Sequence, residues 1–146
     1  MAENIRNDIM GRVGARLAAV TGFTATGKVA EWRTNPFALP DLPVISYQDG
    51  ADEVEAPAYG EIRHNLAVTV EIIVEGAGAT EETRGYLQDV VTAIGTDPTW
   101  ETAAGTALAE TTKLTGVEVV TASTDRLFSV GKIDMTIIYT TALWAV

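Results

Sequence analysis

Residues 61–75 read EIRHNLAVTVEIIVE, where Ile62, His64, Leu66, Val68, Val70, Ile72 and Val74 alternate with Glu61, Arg63, Asn65, Ala67, Thr69, Glu71, Ile73 and Glu75. A period of two puts one set on each side of a β-strand, so this segment reads as a strand with one buried face and one largely polar face. At about 3.3 Å per residue it is about 45 Å long, far beyond the usual five or six residues. Such length predicts a strand that runs past its own sheet.

Working upstream, Ile5, Ile9, Val13 and Leu17 recur every four residues, with Arg6, Arg12 and Arg16 off that stripe. This spacing predicts an amphipathic helix over 4–20, stopped at Gly22. Gly11 and Gly14 inside it each cost up to about 1 kcal/mol relative to Ala, so the helix depends on packing against the rest of the fold. From Lys28, Val29, Glu31 and Arg33 alternate with Ala30 and Trp32, a strand ending at Asn35-Pro36, and Pro40 and Pro43 bracket an irregular crossing. Residues 44–47 form a second short strand. The run 49–57, DGADEVEAP, is too acidic to pack and is expected to be a solvated loop.

Downstream, Thr80 is placed to cap a second helix. Glu81 and Glu82 sit in its first turn, Tyr86, Leu87, Val90, Val91 and Ile94 point inward, and Gly95 ends it. Asp97-Pro98 opens a connection of small residues over 101–109, after which 113–124 and 126–141 read as a hairpin turning near Asp125. In its second strand Leu127, Ile133, Met135, Ile137 and Tyr139 share one face, and Phe128, Val130 and Ile138 the other. The order helix, strand, strand, long strand, helix, strand, strand predicts an α+β fold. It is a mainly antiparallel sheet of four to five strands with two helices packed on one face, in a single domain over 1–146. The chain has no internal repeat and no low-complexity tract.

Composition narrows the function. The 146 residues carry a net charge of −10, one His and no Cys. A chain that neutralises phosphates carries a basic excess, so the sign excludes most nucleic-acid binders, and the absence of Cys excludes disulfide scaffolds and thiolate metal sites. The first eight residues lack a basic start followed by an apolar run, and no window approaches the roughly 20 apolar residues that span a bilayer, so neither a leader nor a membrane segment is expected.

The motifs that could carry chemistry fail on context. Residues 22–29, GFTATGKV, follow phosphate-loop spacing until Val29 replaces the metal-ligating hydroxyl, and they leave a helix for a strand, the reverse of that motif's setting. Gly76-Ala77-Gly78 precedes a helix, but Glu81 occupies the third glycine position of a dinucleotide fingerprint and would repel pyrophosphate. His64, the sole imidazole, lies on the apolar face of the long strand, and Ser46, Ser123 and Ser129 occupy no nucleophile elbow. Asp49, Asp52, Glu53 and Glu55 are four carboxylates in seven residues without the EF-hand spacing. The expectation is a protein that is not an enzyme, with no cofactor and no metal.

Large apolar groups remain in connections and at the end of the chain: Trp32, Phe37, Leu39, Trp100, Leu143 and Trp144. Aromatic residues in such places are enriched in subunit interfaces, and a loop folded over its own core accounts for them equally well. Trp32, Phe37, Trp100 and Trp144 are the candidate oligomer contacts.

The chain also resembles a known family. The opening Ile5-Arg6-Asn7-Asp8-Ile9 helix, the Arg33-Thr34-Asn35-Pro36 strand end and the Leu39-Pro40-Asp41-Leu42-Pro43 crossing before Val44-Ile45-Ser46-Tyr47 carry the first half of the likeness. The long strand through Arg63, the helix over 81–94, Asp97-Pro98-Thr99-Trp100 and the closing Ile137-Ile138-Tyr139-Thr140-Thr141 carry the second. In this layout it is similar to the tail terminators of long-tailed phages, the minor tail protein U-like family. The resemblance implies a homohexameric ring that stacks on the last ring of tail tube protein, halts polymerisation and offers its other face to the head-tail connector or stopper. It implies residence in the virion neck after assembly in the host cytoplasm. Another phage neck or tail-completion subunit, or a small α+β ligand-binding domain or enzyme, are the alternatives. All six charged residues between 34 and 62 are acidic. In a ring, Asp49, Asp52, Glu53 and Glu55 facing the lumen would let DNA pass without specific binding, and solubility is the simpler role for the same charges.

Overall fold

The computed structural model describes residues 5–25, 28–31, 43–55, 60–76, 78–102, 104–123 and 127–142. Helix α1 (Ile5–Ala18) is followed by β1 (Val29–Glu31), β2 (Val44–Glu55), β3 (Glu61–Glu75), α2 (Ala79–Thr96), β4 (Thr111–Ser123) and β5 (Leu127–Ala142). The five strands form one sheet in the order β1-β2-β3-β5-β4, antiparallel throughout except for the parallel β1–β2 pair. The fold is α+β.

β3 sits at the centre and its alternation is obeyed from His64 to Val74, whereas Ile62 at its start is only half-buried. His64, Leu66, Val68, Val70, Ile72 and Val74 are buried, while none of the intervening residues is. Its length has a different consequence from the one expected. β5 pairs with it along its whole course, from Glu61 opposite Ala142 to Glu75 opposite Phe128, and β2 covers the other side from Val44 opposite Ile73 to Glu55 opposite Arg63. The strand therefore does not overrun its sheet, because its neighbours are equally extended. Among the described residues, β1 and β4 are the outermost strands, and residues 48–55 of β2 have no outer strand partner.

That extension of β2 also corrects the reading of the acidic run. Residues 49–55 are strand and not solvated loop. The register shifts between Asp49, opposite Val68, and Asp52, opposite Leu66. This β-bulge inserts one extra residue, so two carboxylates three positions apart point to the same side of the sheet. A plain alternation count cannot reveal it.

The helices pack through their predicted apolar positions. Ile9, Val13 and Leu17 of α1 and Leu87, Val90 and Ile94 of α2 join a single core with the buried residues of β2, β3 and β5. α2 begins at Ala79, and its N-cap is Gly78 at φ +82° with no side-chain cap, so Thr80 lies within the first turn and does not cap it. Two glycines permit the closest approaches. A Cβ on Gly14 would lie 2.9 Å from Cζ of Tyr47, and one on Gly131 would lie 2.8 Å from Thr83 Cγ2 and 2.9 Å from Leu87 Cγ. Gly14→Ala is therefore expected to destabilise the protein by about 1–2 kcal/mol in urea unfolding, the overpacking outweighing the gain in helix propensity. Adding Tyr47→Phe, which removes the encroaching hydroxyl, should recover part of that loss.

Candidate assembly edges and a buried polar cluster

The sequence-selected residues do not come together as one site. Trp100 is fully buried: its ring joins the core and its Nε1–H donates to Thr112 Oγ1 at 2.8 Å, so it is not an oligomer contact. Its place in the core is set by the turn after α2. Asp97 accepts from Arg16 NH2 at 2.9 Å and from the Glu101 N–H at 3.1 Å, Trp100 N donates to Asp97 O, and Trp100 adopts φ +52°. The turn folds the indole back over its own chain. Trp32, Phe37 and Trp144 lie outside the described residues.

The four carboxylates of the acidic run divide between two sides of the sheet. Asp49 and Asp52 lie opposite Val68 and Leu66, on the side of the sheet whose residues are buried. There Asp49 Oδ2 accepts from Arg6 Nε at 2.6 Å, and Asp52 Oδ2 is 3.8 Å from Arg6 NH1. Glu53 and Glu55 pair with Asn65 and Arg63, point the other way and are exposed. A single lumen-facing patch of all four residues is therefore incompatible with the register.

Asp52 leads into a cluster that sequence reasoning missed. His64 is 3 % exposed, with Nδ1 2.8 Å from Asp52 Oδ2 and Nε2 2.7 Å from Thr141 Oγ1. The carboxylate favours a proton on Nδ1, which leaves Nε2 to accept from the threonine hydroxyl. Tyr139 stacks on the imidazole with centroids 4.4 Å apart and planes 4° from parallel, and its hydroxyl donates to Asp52 Oδ2 at 3.3 Å. The sequence signal was present in part, since His64 and Tyr139 lie on predicted inward faces. Their pairing depends on the β3–β5 register, which places them directly opposite. Asp, His and Thr are connected here as in a hydroxyl-activating relay, but His64 and Thr141 are both buried. Among the described residues, no group of three or more His, Cys, Asp or Glu is placed to hold a metal ion.

Burial and the neighbouring Asp52 carboxylate push the Tyr139 hydroxyl up to about 12 from its ordinary value of 10.0. A phenol whose folded pKa exceeds its unfolded value contributes stability that is complete below pH 10 and disappears as pH rises through the folded value. Alkaline unfolding should thus steepen between about pH 10 and 12, by at most about 3 kcal/mol from this group. Tyr139→Phe should flatten that limb in urea titrations run across the same range.

The remaining feature is apolar. Among the described residues the exposed large hydrophobics are Val54, Leu114, Val117 and Val120, each about half accessible or more. Three are on β4, the outermost strand, and the fourth is on the end of β2 that β1 does not cover. Among the described residues, the exposed large apolar side chains thus fall on the edge strand β4 and on a stretch of β2 with no described outer partner. No known protein-family model matches the chain, and no curated protein aligns with it significantly. Among the described residues, no helix is long and apolar enough to cross a membrane.

Proposed function

We propose that this chain is a structural subunit of a phage tail, the terminator that caps the head-proximal end of the tail tube as a ring and provides the surface for head-tail joining. The observation that carries the self-assembling part of this reading is that, among the described residues, the exposed large apolar side chains lie on the edge strand β4 and on the outer half of β2. Exposed strand edges are templates for another chain, and surfaces on opposite sides of a subunit generate a ring when the rotation closes. The resemblance of the sequence layout to tail terminators supplies the setting, with the tail tube protein and the head-tail connector or stopper as further partners. In that ring we assign Glu53 and Glu55, exposed on the opposite side of the sheet from Asp49 and Asp52, to the DNA-facing surface; Glu55 also lies 3.7 Å from Arg63 NH1, while Asp49 and Asp52 are engaged by Arg6 and His64.

Native mass spectrometry combined with a tube-growth assay tests the reading. The expected result is a closed oligomer of one size that stops elongation of polymerising tail tube protein. A chain that stays monomeric at every concentration and leaves tube length unchanged overturns it. A second reading, a hydrolase using Thr141 as nucleophile, has the Asp52–His64–Thr141 connectivity in its favour and burial against it. Turnover of activated esters that vanishes in Thr141→Val would establish it; the terminator reading expects none.

A further inference from the structure

Arg12 and Arg16 lie one turn apart on α1 and line a cleft of about 280 Å³, whose wall includes Asp97, Thr99, Glu101 and Thr102 of the turn after α2. Arg16 is engaged, since its NH2 donates to Asp97 Oδ2 at 2.9 Å. The two oxygens of Asp97 also accept the Glu101 N–H, at 3.1 and 3.2 Å, so this carboxylate is fully committed. Arg12 is not engaged. Among the described residues its guanidinium makes no hydrogen bond or ion pair, and its Nε–H is buried without an acceptor. The other half-buried arginines described, Arg6, Arg16 and Arg63, each lie within 4 Å of a carboxylate. With 20 Asp and Glu for 10 Lys and Arg in the chain, a half-buried arginine left without an anion marks a place where one is supplied from outside.

The chemistry of the cleft selects the anion. A guanidinium presents parallel N–H groups that match the two oxygens of a carboxylate. Thr102 Oγ1 accepts the Thr106 N–H at 3.1 Å, which leaves its O–H as a second donor at the cleft wall. Asp97 and Glu101 in the same wall repel a dianion such as a phosphate monoester, so a monoanionic carboxylate is the better fit. We infer that the Arg12 cleft is a socket for a carboxylate side chain of a second copy of this chain. This rests on the ring reading above and names a contact that builds the ring.

Two observations favour a second copy as the occupant. Five of the ten Lys and Arg fall within the first 33 residues and none between 34 and 62, where all six charged residues are acidic. Copies therefore attract through unlike regions, and a contact between unlike regions is head-to-tail, the kind that closes a ring. Pro98 also borders both the cleft and a mainly apolar hollow of about 140 Å³ that includes Ile94, Met135 and the half-exposed Leu114. A copy seated over Pro98 covers apolar surface next to the ion pair, and the apolar contact excludes the water that would otherwise weaken it.

An amine placed at position 12 makes the socket testable. The protein is prepared as Arg12→Lys and Arg12→Gln, with Arg84→Gln, an exposed residue outside the cleft, as a control of equal charge. Each variant is checked for an unchanged circular dichroism melt. Isotope-labelled and unlabelled chains of Arg12→Lys are mixed, assembled and treated with a carbodiimide, which joins an amine to a carboxylate in contact with it. Mass spectrometry is expected to find an amide from position 12 to an Asp or Glu of the other copy. In native mass spectrometry Arg12→Gln is expected to weaken assembly by about 10- to 100-fold, and Arg84→Gln to leave it unchanged. A link from position 12 only to Asp97 or Glu101 of its own chain, no link at all, or undiminished assembly of Arg12→Gln overturns the proposal. Where a substitution shifts the melt, phenylglyoxal labelling of the unaltered chain decides: Arg12 is expected to react in the dilute chain and to be protected in the assembly, and equal reaction in both rejects the socket. A closed ring that Arg12→Gln still forms removes the socket and leaves the terminator reading intact. Amides between copies in assemblies that do not close and do not stop tube growth keep the socket and remove the terminator, and a chain that is monomeric at every concentration removes both.

Discussion

Trp100→Ala is expected to lower the melting temperature by about 10–15 °C, the largest loss from any single truncation in the core. Trp100 is the largest fully buried side chain described, and removing such a ring costs about 3–5 kcal/mol through lost burial and the cavity left behind. For a domain of this size each kcal/mol moves the midpoint by about 2–4 °C. The loss has a second component, because Thr112 Oγ1 donates to Pro98 O at 2.7 Å and accepts the indole N–H, so the same hydroxyl ties the turn to β4. Trp100→Phe keeps most of the apolar volume and removes only that hydrogen bond, so it should cost about 1–2 kcal/mol. Trp100→Gly separates packing from backbone strain. At φ +52° glycine relieves about 1 kcal/mol that alanine does not, so the glycine variant should be no less stable than the alanine variant. A melt series in which Trp100→Ala is nearly silent while oligomer size falls would return the residue to the interface role that its loop position suggested.

The contrast between Trp100 and Ile62–Val74 shows which features a sequence can disclose. Alternation over seven positions, six of them apolar, leaves a strand one arrangement that hides them, and the neighbouring periodic segments place the two helices and the hairpin by the same logic. The sheet's width and the α+β class follow from those elements and their order. Three features depend on registers or turns that periodicity does not encode. The indole of Trp100 sits inside because Asp97 holds Arg16 and the Glu101 amide, a local hydrogen-bond pattern that ordinary loop composition conceals. The acidic run is strand because a bulge aims two of its carboxylates at Arg6, a residue 43 positions away from Asp49. β3 does not overrun its sheet because β5 is as long as β3, which no property of residues 61–75 alone could reveal. The candidate site was legible to the same extent: the residues were visible, but their partners were not.

The remaining large effect concerns Asp52, and it links global stability to the local order of β2. Asp52→Ala is expected to cost about 3 kcal/mol in urea unfolding. It leaves the buried His64 Nδ1–H and the Tyr139 hydroxyl without their acceptor, and each unpaired buried donor costs about 1–3 kcal/mol. His64→Ala should cost a similar amount, through a cavity beneath the Tyr139 ring and the loss of one partner each for Asp52 and Thr141. Because the two side chains share one hydrogen bond, their effects should not add: the double variant is expected to be more stable than the sum predicts by about 1–3 kcal/mol. Strict additivity would mean that the carboxylate and the imidazole act independently. The position of the cluster gives the experiment a second readout. Asp52 is two residues before Val54, and its contacts with His64 on β3, Tyr139 on β5 and Arg6 on α1 hold the outer half of β2 in line. The fifteen-residue β3 at the centre tolerates a lost side-chain contact, whereas the outer half of β2, with a bulge and no outer partner among the described residues, frays first. Asp52→Ala should therefore speed amide hydrogen exchange in residues 52–55 at temperatures well below the melt, while Gly14→Ala, which loosens α1 against Tyr47, should lower stability with little change there. That separation would show that the buried polar cluster maintains the outer half of β2, the stretch that carries the exposed Val54.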